Sequence, residues 1–251
     1  ESGAAHATLT GFEPQPAECA ALNAAAKPGQ RFLPYFLGDG RERTFYECAL
    51  GACSSLYEPD LEFIQRFVGL ERVFDVKSRT PVQTRRLDDL PEIAAIDYLK
   101  MDVQGAELDV LRGGPARLAR ALVVDVEVEF VPLYKGQPLF ADVDAEMRRL
   151  GFMFHTFAGG NVMGRALWPL EHPGGRHYRF NQLMWADAVY VRDPRSYAGL
   201  PLDDLLKIAI ITHDAYLSPD LAAYALEAHD LRAKTTYADQ LVKFVKQDLG
   251  G

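Results

Sequence analysis

Residues 96–107, IDYLKMDVQGAE, change character halfway along. The first half alternates as a strand does: Leu99 and Met101 face one way, and Tyr98, Lys100 and Asp102 the other. Charges on one face of a strand are costly to bury unless they are matched or used. Gly105 then lets backbone or a ligand come close. AELDVLRGG (106–114) follows with helical spacing and a plausible C-cap at Gly113-Gly114. In an open parallel sheet, ligands sit outside the carboxyl ends of the strands, so Asp102 is a candidate functional residue. Glu107, in the first turn of the helix, is explained by the helix dipole alone.

The rest of the chain repeats this alternation. TLTGFEP (8–14) reads as a short strand and PAECAALNAAA (16–26) as a helix stopped by Pro28-Gly29. RFLPYFLGDG (31–40) and RTFYECAL (43–50) read as strands, and DLEFIQRFVGL (60–70) has helical spacing. VFDVKSRTPVQTRRLDDL (73–90) is an extended segment running into a polar turn. LVVDVEVEF (122–130) is a strongly β-prone strand, DVDAEMRRLGF (142–152) starts as a helix, and FMFHTFA (152–158) and MWADAVYVRD (184–193) are the last strands. Between those two lies a glycine-rich stretch, 158–182, long enough to be a lid or binding loop. Its Trp168, His172, His177 and Tyr178 are candidate acceptor contacts, because aromatic faces suit sugar rings and apolar chains alike. After Pro194 the pattern turns helical, with Ser218 as an N-cap and Pro219 at the first helical position. Strands alternating with helices predict an α/β fold with a mostly parallel sheet over residues 1–193, followed by a helical C-terminal extension over 194–251.

Composition narrows the classes. The chain has 251 residues, 48% hydrophobic and 25% charged, enough for one substantial core. No apolar run approaches the roughly 18–20 residues needed to span a bilayer, so no membrane partner is expected. A net charge of −8 without a basic cluster argues against nucleic acid. Cys19, Cys48 and Cys53 show no CxxC or zinc spacing, which fits free thiols in a reducing, cytoplasmic setting. The six histidines form no HxxxH or HExxH pair, and no built-in metal is expected.

Several polar residues fall at strand ends. Glu13 closes the first strand just before Pro14; an acid there accepts from ribose hydroxyls in nucleotide-binding α/β folds, or serves as a helix-start acid. Asp39, in GDG, is either a similar ligand for adenosine or a plain turn acid. In LVVDVEVEF, Asp125, Glu127 and Glu129 share one face, with neighbours roughly 6.6–6.8 Å apart. A strand so rich in valine belongs in the sheet interior, so these charges need partners. Lys100 is a candidate for Glu127, and Glu129, nearest the carboxyl end, would face a pocket. His155 is either a base suited to neutral pH or a satisfied structural residue. Asp102, Glu129 and His155 together could alternatively hold a divalent ion.

The run LDDL (87–90) and IDYLKMDVQGAELDVLRGG (96–114), continuing through VVDVEVEFVPLYKGQPLF (123–140) and LGF (150–152), resembles the FkbM family of S-adenosylmethionine-dependent methyltransferases. GFEPQP (11–16) is similar to the acid-proline step that ends the family's second strand. The resemblance covers roughly residues 8–193. It implies a class I methyltransferase, Rossmann-like sheet of seven strands with the last antiparallel, and methyl transfer from S-adenosylmethionine to a hydroxyl of a sugar, glycan or polyketide-like small-molecule acceptor. It further implies that Glu13 with Pro14 binds the cofactor ribose, that Asp39 lies near the adenosine with Ser54 and Ser55 on the same side, and that Asp102 sits near the transferred methyl. The family's first strand and glycine-rich loop should precede residue 8, where the chain has only ESGAAHA, so both are expected to be missing.

Methyl transfer from a sulfonium is an in-line displacement, and the protein mainly aligns donor and acceptor. An alcohol needs a base within about 3 Å, a role that falls to Glu129 or His155 with Asp102 orienting. Two other readings compete: a non-catalytic binding module that keeps the methyltransferase fold, and a nicotinamide-dependent oxidoreductase. The latter gives no reason for KMDVQGAE or for the EVE strand.

Overall fold

Leu9–Phe12 (β1) and Gln30–Leu33 (β2) pair in parallel, joined by the helix Pro16–Ala25 (α1), which starts on a proline at its first position. The computed structural model describes residues 7–158, 163, 164, 167 and 182–249. The stretch before residue 8, where the missing glycine loop was expected, is described only at Ala7, and the acceptor contacts expected at Trp168, His172, His177 and Tyr178 lie outside the described residues. The strand expected over 31–40 is divided: Pro34 has no amide hydrogen for a ladder, and the chain turns there before Phe36–Leu37 (β3). β3 runs parallel to Val76–Arg85 (β5), which pairs on its other side, antiparallel, with Glu42–Cys48 (β4). The helix expected over 60–70 shortens to Leu61–Ile64 (α2), capped by the Asp60 carboxylate on the Phe63 amide at 3.1 Å.

The larger sheet is built from Tyr98–Met101 (β6), Val123–Glu129 (β7), Phe152–Phe157 (β8), Met163–Gly164 (β9) and Leu183–Arg192 (β10). Its order is β6-β7-β10-β8, with β9 also on β10. β6 and β7 are parallel, and β10 runs antiparallel to β7, β8 and β9, so the last strand opposes the rest as expected. The single seven-stranded sheet that was expected is instead three sheets among the described residues, and β1 and β6 each carry a ladder on one edge. Packing ties β1 and β2 to β6: Phe12 and Leu33 lie against the same core as Leu99 and Met101. The Tyr35 hydroxyl also reaches the Glu92 carboxylate at 3.0 Å.

β7 has two unlike faces. Val124, Val126 and Val128 face a core shared with Glu107–Arg112 (α3) and Phe140–Arg149 (α5), through Leu108, Leu111, Val143 and Met147. Pro115–Leu118 (α4) closes one end of it. On the opposite face, Val123 joins Val189 and Val191 of β10 in a second core with Leu205 and Ile208 of Leu202–Tyr216 (α6) and Leu221 and Ala225 of Pro219–Ala233 (α7). Tyr237–Leu249 (α8) completes the chain's helices and packs on α7. The extension expected to begin at residue 194 therefore shares its core with the sheet. Polar contacts also fasten it, among them Tyr216 donating to Asp125 at 2.8 Å, His155 Nε2 meeting Ser218 Oγ at 2.7 Å and Lys207 donating to Asp97 at 2.8 Å. Ile208 is fully buried, and Ile208→Ala is expected to cost about 2–5 kcal/mol. Urea denaturation followed by both fluorescence and circular dichroism checks this; a shared core gives one coincident transition, a separate domain two.

Candidate active site

The parallel register of β6 on β7 sets Lys100 beside Asp125 and Met101 beside Val126. One step further along both chains, Asp102 comes beside Glu127. The backbone then turns through two left-handed residues, Gln104 at φ 55° and Gly105 at φ 95°. A side chain at Gly105 would stand 3.3 Å from both Tyr134 Cδ2 and Gln137 Nε2, so the close approach foreseen at this glycine is made by protein. The turn directs Gln104 back over the strand ends, where its Nε2 donates to Asp102 Oδ1 at 2.7 Å and Glu127 Oε2 at 2.5 Å. Its Oε1 accepts from the Tyr134 hydroxyl at 3.0 Å, and its backbone carbonyl from Ser55 Oγ at 2.5 Å.

Two more carboxyl groups lie behind this pair. Glu107 is 2% exposed and its Oε1 accepts from the Val103 amide at 2.8 Å; Glu129 is 3% exposed. Oxygens of Asp102, Glu107 and Glu127 lie within 4.8 Å of one another, a spacing that would suit a divalent cation. The Gln104 amide nitrogen bridges two of the three, Asp102 and Glu127. Burial pushes Glu107 up to about 7 and Glu127 up to about 10, the latter helped by the charges of Asp102 and Glu129. Burial, then the nearby Glu107, raises Glu129 well above the usual carboxylate range.

Lys100, expected to serve Glu127, instead pairs with Asp125 at 2.8 Å and with Asp187 of β10. The register explains the difference, because Asp125 lies directly beside it. Burial opposes its charge, but the hydrogen bonds to both acids hold its ammonium above the usual lysine range. The other expected site residues scatter. Ser55 joins the cluster through Gln104, whereas Ser54 Oγ accepts from the Cys48 amide at 3.0 Å. Asp39 is bound by Arg43 at 2.6 Å and by the Arg41 amide at 3.1 Å. Burial works against its charge, yet these contacts together keep its carboxyl low. Arg43 continues to Asp109 at 3.5 Å, which also accepts from the Tyr57 hydroxyl at 2.8 Å.

Glu13 closes β1 as expected, and its Oε1 accepts from the Gln15 amide at 2.8 Å beside Pro14 and the start of α1. His155 is not drawn into the carboxylate cluster. It is the extra residue where β8 slips register against Val189 and Tyr190, and its ring goes to Ser218, where burial lowers its pKa. Three residues escaped the sequence reading. Glu127 was visible in the EVE alternation, but as a residue awaiting a lysine. Gln104 and Tyr134 carried no signal, because a left-handed glutamine and a contact across thirty positions leave no periodic trace.

The acidic group thus stands at the carboxyl end of a βα unit, in a mixed α/β fold whose last strand is reversed. The chain matches the model of the methyltransferase FkbM domain over residues 2–154, more than half its length, and belongs to that family. It is similar to "2-O-methyltransferase NoeI" of Sinorhizobium fredii (strain NBRC 101917 / NGR234), with 46% identity over 67 residues, 25% of this chain and 28% of that protein. The chain thus matches little more than a quarter of the length of that curated relative. No solved structure gives a significant match.

The raised carboxyl groups make stability depend on pH. The unfolded chain releases these protons above the ordinary value of 4.5, whereas the folded chain keeps them to about 7 at Glu107 and about 10 at Glu127. Stability therefore falls as pH rises through that window. Glu107→Gln keeps an acceptor for the Val103 amide and removes the titration. It is expected to melt with the wild type near pH 5 and several degrees above it near pH 8, at roughly 2–4 °C per kcal/mol; calorimetry across this range is the check.

Proposed function

We propose that the protein transfers a methyl group from S-adenosylmethionine to a hydroxyl oxygen of a sugar, glycan or polyketide-like acceptor. Family membership and the likeness to a 2-O-methyltransferase support the reaction class. The observation that carries the reading is the exposed Asp102 carboxylate, held beside Glu127 at the carboxyl end of β6. The residues present suit the cofactor chemically. Glu13 commits one oxygen to a backbone amide, leaving the other to accept from a ribose hydroxyl.

When bound, S-adenosylmethionine supplies a methyl group on a sulfonium sulfur, which a hydroxyl oxygen displaces in line. Asp102 takes the hydroxyl proton at Oδ2, since Oδ1 is engaged by Gln104. Glu127, protonated at neutral pH, is a hydrogen-bonding neighbour to Asp102 and not a repelling charge. The base role assigned from sequence to Glu129 or His155 passes to Asp102 in this reading: Glu129 is enclosed, and His155 serves the contact to Ser218. Three free, buried cysteines fit a reducing, cytoplasmic setting, and no described helix is long and apolar enough to cross a membrane.

Methyl-labelled S-adenosylmethionine, offered with a panel of sugars and polyols, tests the proposal. Asp102→Asn is expected to lower turnover about 10²–10⁴-fold while leaving cofactor affinity, measured by calorimetry, within about twofold. A protein that binds the cofactor and methylates nothing in the panel would favour the binding-module reading instead.

A further inference from the structure

We propose that Gln104 is a positioning residue, whose amide fixes the Asp102–Glu127 pair so that Asp102 Oδ2 is the oxygen presented to the acceptor. The inference deepens the methyl-transfer reading and rests on it. Four observations meet at this side chain. Its backbone sits at φ 55°, a conformation that an unbranched residue with a Cβ adopts at a cost and keeps only when its surroundings enforce it. The neighbouring Gly105 is also left-handed, so the turn could have been met by a second glycine. The amide nitrogen has two hydrogens and directs one to each acid, at 2.7 and 2.5 Å. The amide oxygen is 3.0 Å from the Tyr134 hydroxyl, whose single hydrogen it shares with the Cys53 carbonyl, also at 3.0 Å.

A turn that needed only its shape would be served by glycine. Here a strained glutamine is retained and spends both donors on the pair assigned to proton transfer. With one donor on Asp102 Oδ1 and the other on Glu127 Oε2, Gln104 holds the two side chains together and sets which oxygen of Asp102 faces outward. The titratable groups around the pair are Glu107 from α3, Glu129 from β7, Asp187 from β10, Lys100 from β6 and Tyr134 from the loop after β7.

The test compares wild type, Gln104→Gly and Gln104→Met in the full chain. Gln104→Gly relieves the backbone and removes the donors; Gln104→Met keeps the bulk and the strain but removes the donors. Both are expected to lose roughly 10²-fold in kcat, with S-adenosylmethionine affinity within about twofold. The glycine variant is expected to melt within a few degrees of wild type. The loss in kcat should exceed any change in the KM for the acceptor in both, because the donors orient the reacting oxygen and do not hold the acceptor. Wild-type turnover in either variant would overturn the proposal, as would loss of activity only in step with loss of fold. Carboxyl ¹³C titrations of Asp102 and Glu127 separate the two claims. If the wild type methylates nothing but these titrations move in the variants, the activity is wrong and the positioning right; if they stay fixed, Gln104 does not govern the pair.

Discussion

The structure depends on how β6 lies along β7. A parallel pair fixes which residues stand side by side, and here the register sets lysine against aspartate at one step and, one alternation later, acid against acid. The first pairing is satisfied by a salt bridge that extends to β10. At the second, a bridging amide joins the two acids, and burial raises Glu127 so that it keeps its proton. Shifting either strand by one residue would turn these charges into the valine core on the other face, so burial of Val124, Val126 and Val128 enforces the arrangement.

Around that pair, residues that suggest ligand binding also act as framework. Asp39, Arg43, Asp109 and Tyr57 form one chain of ion pairs and hydrogen bonds, tying the strand β4 and the turn before it to α3. The Tyr57 amide then reaches Ser55, whose hydroxyl holds the Gln104 carbonyl. The tight turn over the strand ends is therefore braced from the smaller sheet. A left-handed glutamine is tolerable only in such surroundings, where several independent contacts each resist its relaxation.

The C-terminal helices complete the same face. α6 and α7 cover its apolar end, and Tyr216 and Ser218, at the turn between them, engage Asp125 and His155. Ser218 stands at the start of α7, yet its hydroxyl is directed to the histidine and makes no side-chain cap to the helix amides. A residue that a local rule assigns to helix capping is here taken by a partner more than sixty positions away.

The element order and the acid at the end of β6 were legible in the sequence, because alternation, helical spacing and turn residues are local and are imposed by backbone geometry; the reversed final strand was implied by the family resemblance. The shared face of Asp125, Glu127 and Glu129 was legible for the same reason. What the sequence could not assign was partnership. Lys100 belongs to Asp125 rather than Glu127, Asp39 to Arg43, and His155 to Ser218, and each choice is fixed by strand register or a long-range contact that local pattern does not encode. Glu107 read correctly as a helix-start acid, but its burial came from packing alone. The chain by itself therefore determined which chemical groups stand at the strand ends. Tertiary structure decided which of them meet, which are neutralised and which one faces outward, because the cost of burying charge depends on every neighbour the fold brings within a few ångströms.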